Sequence, residues 1–221
     1  MTISKLTNEY IPANKSNFRS NSERIYPVKK IVLHHVAGIA SIEELGALWQ
    51  DPNRGASSNY GIGNDAKIGC YVPEEYRAYT SGNDVDEEAI TIEISNNIRS
   101  APWSISSEVY SKLCMLIADI SQRYNFGILK KGENIVWHNM YENTECPGSY
   151  IMQNIDNIIN DSQKLIDNIP DPWASEAISW ALTNEILQGD GNGNLRLHEN
   201  ITRQESITAL YRLYNLIMHD I

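Results

Sequence analysis

The run Ile31-Val32-Leu33-His34-His35-Val36 constrains this chain more than any other segment. It is β-branched and nearly continuously apolar, as expected of a strand buried on both faces. A strand of that kind needs helices over both sides of its sheet, so the expected class is α/β: a mixed central β-sheet flanked by helices. Period-two alternation sets His34 and His35 on opposite faces, so only one of them can point into any given site.

The segments around this run agree with that class. Ser41 can cap a helix reaching Leu48, with Glu43 and Glu44 in its first turn, and Asp51-Pro52 and Gly55 end it. Residues 60–62 and 67–72 read as strands joined by the turn Gly63-Asn64-Asp65, and 89–95 alternates around Ile90, Ile92 and Ile94. Ser106 and Ser107 open a helix with Val109, Leu113, Leu116, Ile117 and Ile120 at helical spacing. A short strand, 134–138, precedes a loop, and Pro147-Gly148 begins a helix through Ile166. Residues 1–27 are polar and read as an arm wrapping a core.

Pro170 and Pro172 stop the helical pattern. They divide the chain into an expected larger domain, 1–168, and a small helical one, 171–221. The second holds two helical stretches, 173–187 and 202–217, around the turn Gly189–Asn194. About fifty residues is marginal for an independent domain, so it should pack on its neighbour or on a second copy. Asp190, Asn192 and Asn194 do not make a calcium loop, because Leu195 and Ile201 stand where glycine and a bidentate glutamate are needed.

Composition excludes several classes. With 42% hydrophobic and 21% charged residues among 221, the chain is not disordered, and no apolar run reaches the ~20 residues of a membrane span. A net charge of −10 argues against nucleic acid or an anionic membrane as the main partner. The opening MTISKLTNEY lacks the apolar run of a signal peptide, so the expectation is synthesis in the cytoplasm without one. Three separated cysteines make no disulfide framework; Cys114 reads as a buried helix residue and Cys70 has no evident partner.

Cys146 differs, because His138 precedes it by eight residues at the end of a strand. Each residue taken singly reads as core. Together with His34 they also read as a three-ligand zinc site with one open position, where bound water reaches a pKa of ~7. On spacing alone both readings stand.

From about Val28 to Tyr150 the chain resembles the zinc-dependent N-acetylmuramoyl-L-alanine amidases, the family that includes phage endolysins and the peptidoglycan recognition proteins. The resemblance rests on the Ile31–His35 run, on Ala56-Ser57-Ser58-Asn59-Tyr60, on Ala89-Ile90-Thr91-Ile92-Glu93-Ile94, and most specifically on the segment from His138 through Thr144 to Cys146-Pro147-Gly148. It implies Zn2+ as cofactor, with His34, His138 and Cys146 as ligands. It implies hydrolysis of the amide between N-acetylmuramic acid and the first L-alanine of the stem peptide. Glu93 would be costly to bury without a role or partner; desolvation would raise its pKa and suit it to carry a proton to the leaving amine. The alternative is an edge glutamate facing water. Thr144 stands where relatives have threonine or lysine; its hydroxyl is suited to an oxyanion, or to capping its own loop. Asn59 and Tyr60 are the candidate substrate contacts, Tyr60 being equally suited to filling the hairpin core. Some relatives have histidine in place of Asn59, and Ala78-Tyr79-Thr80-Ser81-Gly82 departs from a tryptophan-histidine pair, which puts the groove contacts in question.

Trp173-Ala174-Ser175-Glu176-Ala177-Ile178, Gly189-Asp190-Gly191 and Ile201-Thr202-Arg203-Gln204-Glu205 resemble one S-layer-homology motif. This implies binding to bacterial peptidoglycan and other cell-wall polymers. One repeat rather than three suggests pairing of two chains as a homodimer. The leading expectation is therefore a lytic endolysin that reaches the wall on release from the cell. The runners-up are a peptidoglycan-binding protein that does not cut and a cytosolic amidase recycling wall fragments.

Overall fold

The computed structural model describes residues 1–191 and 193–219. Asn192 of the expected polar turn, and Asp220 and Ile221 of the expected helical domain, lie outside the described residues. By its internal contacts the chain divides into two compact units, Met1–Ser162 and Gln163–Ile221.

The first unit is built on a six-stranded mixed sheet, as the buried run requires. The strands are β1 (Glu9–Tyr10), β2 (Lys30–His35), β3 (Tyr60–Ile62), β4 (Ile68–Cys70), β5 (Ala89–Ile94) and β6 (Ile135–Trp137), in the order β1-β4-β3-β5-β2-β6. Only the β3–β4 hairpin is antiparallel. β2 and β5 pair over six residues each, and every residue of β2 after Lys30 is buried. The polar arm contributes β1, which adds a short parallel edge strand to β4.

Register decides which side chains share a face. His34 pairs with Glu93, and Glu93 with Gly61; Leu33 pairs with Ile92, and Ile92 with Tyr60. Because directly paired residues lie on one side of a sheet, His34, Glu93 and Gly61 form one face and Leu33, Ile92 and Tyr60 the other.

Helix α1 (Ile42–Gln50) covers the first face. Its start is set by a capping box: Glu44 N–H donates to the Ser41 hydroxyl (3.2 Å) and the Glu44 carboxylate accepts from Ser41 N–H (2.8 Å). Gly61 and Gly69, paired across the hairpin, let it approach. A Cβ on Gly61 would lie 2.8 Å from the Tyr71 ring and 3.0 Å from Leu45. A Cβ on Gly69 would lie 3.0 Å from Ile42. The ring of Tyr71 fills that space, and its hydroxyl donates to the Ile42 carbonyl at 2.8 Å.

Helix α2 (Ser107–Arg123), capped by Ser106, serves the other face. At its end Arg123 and Tyr124 converge on the fully buried Glu74 carboxylate, which also accepts from the Tyr60 hydroxyl. Cys114 of α2 is buried against α3 (Ser149–Asp167).

In the second unit, α4 spans Ser175–Thr183 and α5 Arg203–His219. The expected helix 173–187 ends early, because Asn184 caps it and Glu185 turns left-handed (φ 57°). A second capping box, between Thr202 and Glu205, opens α5. Asn168 ties the end of α3 to the polar turn, donating to the Gly193 carbonyl and accepting from Leu195 N–H. Along α5, Ile207, Leu210, Tyr211, Tyr214, Ile217 and Met218 are all more than half exposed. They recur at i, i+3, i+4, i+7, i+10 and i+11, the spacing of a helix seam. Among the described residues no helix is long and apolar enough to cross a membrane.

Candidate metal centre

The parallel strands β2 and β5 end side by side, and their carboxyl ends carry the chemistry. One ligand atom from each of His34, His138 and Cys146 lies within 4.8 Å of the others. His34 comes from β2, His138 from the turn that follows β6, and Cys146 from the loop before α3. The Cys146 sulfur is 3.6 Å from His34 Nδ1, and the His34 and His138 rings are 4.5 Å apart between centroids.

Backbone geometry holds the sulfur in place. β6 pairs with β2 only as far as Leu33–Trp137, so beyond that point the edge of β2 has no strand beside it. The freed His35 N–H donates to Cys146 Sγ at 3.3 Å. Cys146 N–H in turn donates to the Thr144 hydroxyl oxygen at 3.2 Å, which leaves the Thr144 O–H proton available. Thr144 thus caps its loop while its side chain lines the cleft.

The donor set fits a zinc ion. Burial depresses the pKa of His34 and of His138, so both rings are neutral with a lone pair to offer. Burial pushes the Cys146 thiol up, so its ionisation needs a cation close by. Nitrogen and sulfur donors around tetrahedral zinc stand roughly 3.6 Å apart, the separation found between His34 Nδ1 and Cys146 Sγ. A hydroxyl, Ser81 Oγ, lies 3.2 Å from His34 Nε2; with Nε2–H donated to it, the Nδ1 lone pair is the one facing the sulfur.

These residues open into a cavity of about 360 Å³ that also receives Trp49, Arg54, Thr80, Glu93, Trp103 and Glu145. Glu93 Oε2 is buried without a hydrogen-bond partner, and desolvation raises the carboxyl pKa to about 8, against a weaker opposing pull from Arg54. Of the two readings of Glu93, an edge residue facing water is the one this environment excludes. Arg54 stacks over the Trp49 ring at 5.6 Å.

Asn59 and Tyr60 require correction as substrate contacts. Both are fully buried. Tyr60 lies on the sheet face opposite His34 and Glu93, and its hydroxyl is occupied by Ser4 N–H and the Glu74 carboxylate. Asn59 spends its amide on the Val72 carbonyl and on Thr91 and Arg24. His35, turned from the metal cluster, packs edge-on to Trp103 at 5.3 Å. The residues that sequence reasoning missed are Arg54, Trp103, Ser81 and Asp86. All sit in loops or short turns without periodicity, and only the strand order brings them together.

Residues 24–149 match the family model described as N-acetylmuramoyl-L-alanine amidase, and residues 166–205 match the S-layer homology domain. Among solved structures, a mutant endolysin from Bacillus subtilis superposes with a TM-score of 0.56 at 18% identity, covering 71% of this chain and 99% of its own. PlyL gives 0.55 at 16% identity, covering 71% and 96%. AmpD gives 0.54 at 18%, covering 72% and 98%. These likenesses show a shared fold. No curated protein sequence matches the chain.

Proposed function

Since the chain belongs to the N-acetylmuramoyl-L-alanine amidase family, we propose that it is a zinc-dependent peptidoglycan hydrolase, an endolysin that cuts between N-acetylmuramic acid and the L-alanine of the stem peptide. The observation that carries this is the His34–His138–Cys146 cluster beside an unpartnered, desolvated Glu93 in one cavity. Zinc, when held by those three residues, supplies a Lewis acid that polarises the scissile carbonyl and makes water nucleophilic at neutral pH.

The protein's own groups do the rest. Glu93, poised near neutrality, accepts a proton from the attacking water and returns it to the leaving amine. The Thr144 O–H proton, not needed by its loop, donates to the carbonyl oxygen as negative charge develops there. Trp49, Trp103 and Arg54 line the walls of the cavity.

The second unit, with its S-layer-homology match, is the wall-binding part of this reading, and the division proposed is a catalytic 1–168 and a binding 171–221. Attachment must come from specific contacts, because a chain of net charge −10 is repelled by an anionic wall. The apolar stripe of α5 supports pairing of two copies through this unit. A protein that binds peptidoglycan without cutting has no use for the complete donor set, and Cys146 completes it.

Digestion of purified walls from several Gram-positive species, with mass spectrometry of the fragments, tests the activity. Free L-alanine amino termini paired with intact N-acetylmuramic acid are expected. Reducing ends without new amino termini would instead indicate a glycosidase and overturn the reading.

A further inference from the structure

Ser81, outside the ligand set, meets one candidate ligand histidine: its hydroxyl lies 3.2 Å from His34 Nε2. It is itself fixed. Asp86 Oδ2 accepts from Ser81 N–H at 2.8 Å and from Thr80 N–H at 2.9 Å, two charge-assisted bonds to consecutive amides. Thr80 is held further by donating its hydroxyl to the Ser57 carbonyl at 2.7 Å. Ser81 is 0% exposed and Asp86 1%, so none of these bonds competes with solvent. The short 3-10 turn that carries Asp86, Asp84–Glu87, is capped by Asn83 immediately before β5, the strand of Glu93.

A buried carboxylate is expensive unless it is paired. Arg77 and Arg24 are cations that act on it, yet Asp86 Oδ1 has no hydrogen-bond partner among the described residues. A neutral residue that fills the space would avoid this cost. What the carboxylate does achieve is a rigid placement of Ser81 against His34. Removing the Ser81 hydroxyl would let the His34 ring choose either tautomer and turn about its χ2 angle, so that the Nδ1 lone pair no longer faces the sulfur.

We infer that the Asp86–Ser81 pair is a positioning device for the metal centre: Asp86 clamps the Ser81 backbone, and Ser81 orients His34 through its hydroxyl. Ser81 and Asp86 act through His34 and are positioning residues. This rests on the reading of His34, His138 and Cys146 as metal ligands, and it adds two residues that spacing and periodicity do not single out. The departure at 78–82 from the pattern of relatives then has a local meaning, since that segment carries the serine.

Cobalt(II) titration of the metal-free full-length protein separates the possibilities, read through the thiolate-to-cobalt charge-transfer absorption. Wild type should show the band, and Cys146→Ala should lose it. Ser81→Ala should keep the band, since the sulfur still binds, but reach half-saturation at roughly 10–100-fold more cobalt. Ser81→Thr, which retains the hydroxyl, should titrate within about threefold of wild type. Melting of each metal-free variant by circular dichroism gives the structural control. Ser81→Ala titrating like wild type would overturn the inference. So would a weakening matched by Ser81→Thr, or one accompanied by collapse of the metal-free fold. Absence of the band in wild type would instead defeat the underlying reading of the ligand set.

Discussion

Glu93 shows how much one residue's surroundings decide. Its carboxyl has a raised pKa because burial penalises the charge, so between its ordinary value of 4.5 and about 8 the native state holds a proton that the unfolded state has lost. Native stability therefore falls as pH rises through that window. Comparing urea unfolding of metal-free wild type and Glu93→Gln should show the variant gaining on wild type by up to about 1.4 kcal/mol per pH unit there. The comparison isolates Glu93 from His34 and His138, whose depressed pKa values act in the opposite sense, costing stability as pH falls. A constant difference across pH would remove the argument for a desolvated carboxyl. For activity, Glu93→Gln should lower muropeptide hydrolysis by roughly 10²–10⁴-fold with bound zinc unchanged by atomic absorption. Cys146→Ala, or a strong chelator, should abolish turbidity loss of purified walls; undiminished lysis would sink the zinc mechanism.

Much of this site was legible at the level of single residues. A glutamate in a β-branched strand, two histidines at the ends of apolar segments, and a cysteine in the loop before Pro147-Gly148 are chemically conspicuous. Tyr60 was not settled that way. Its residue type suits a groove as well as a core, and only the pairing of Tyr60 with Ile92 and of Gly61 with Glu93 shows which side it takes. Ser81 and Asp86 carry no signal of their own, since short polar residues in a turn look alike until a fold closes over them.

At the scale of elements, the buried run of β2 and the caps at Ser41 and Ser106 were readable because each follows from local chemistry. Strand order was not, because β6 is short and reaches β2 from across the chain. The approach of α1 to the hairpin depends on Gly61 lacking a Cβ. Gly61→Ala should cost about 1–3 kcal/mol in denaturant unfolding, since Tyr71 and Leu45 are themselves fully buried and have nowhere to move. On α5, large apolar side chains at seam spacing favour another helix as their cover. Sedimentation velocity should find a dimer for the full chain, and a Leu210→Lys, Ile217→Lys double variant should be monomeric; a monomeric wild type would remove the pairing proposal.

For the molecule as a whole, the proposal that one unit cuts and the other holds can be tested by truncation. A chain ending at Asn168 keeps all of α3 and should hydrolyse soluble muropeptide at the rate of the full protein, while cosedimenting poorly with walls. Equal cosedimentation would take the binding role away from the second unit. The hydrogen bond from His35 to Cys146 offers a further consequence. That amide lies at the carboxyl end of β2, beyond its pairing with β6, and its acceptor is a sulfur atom, so its protection from deuterium exchange follows the chemical state of one side chain. Alkylating or oxidising Cys146 should speed exchange at His35 while Leu33, two residues back in the same strand, stays protected. The strand thereby carries its own label-free gauge of whether the thiol is intact.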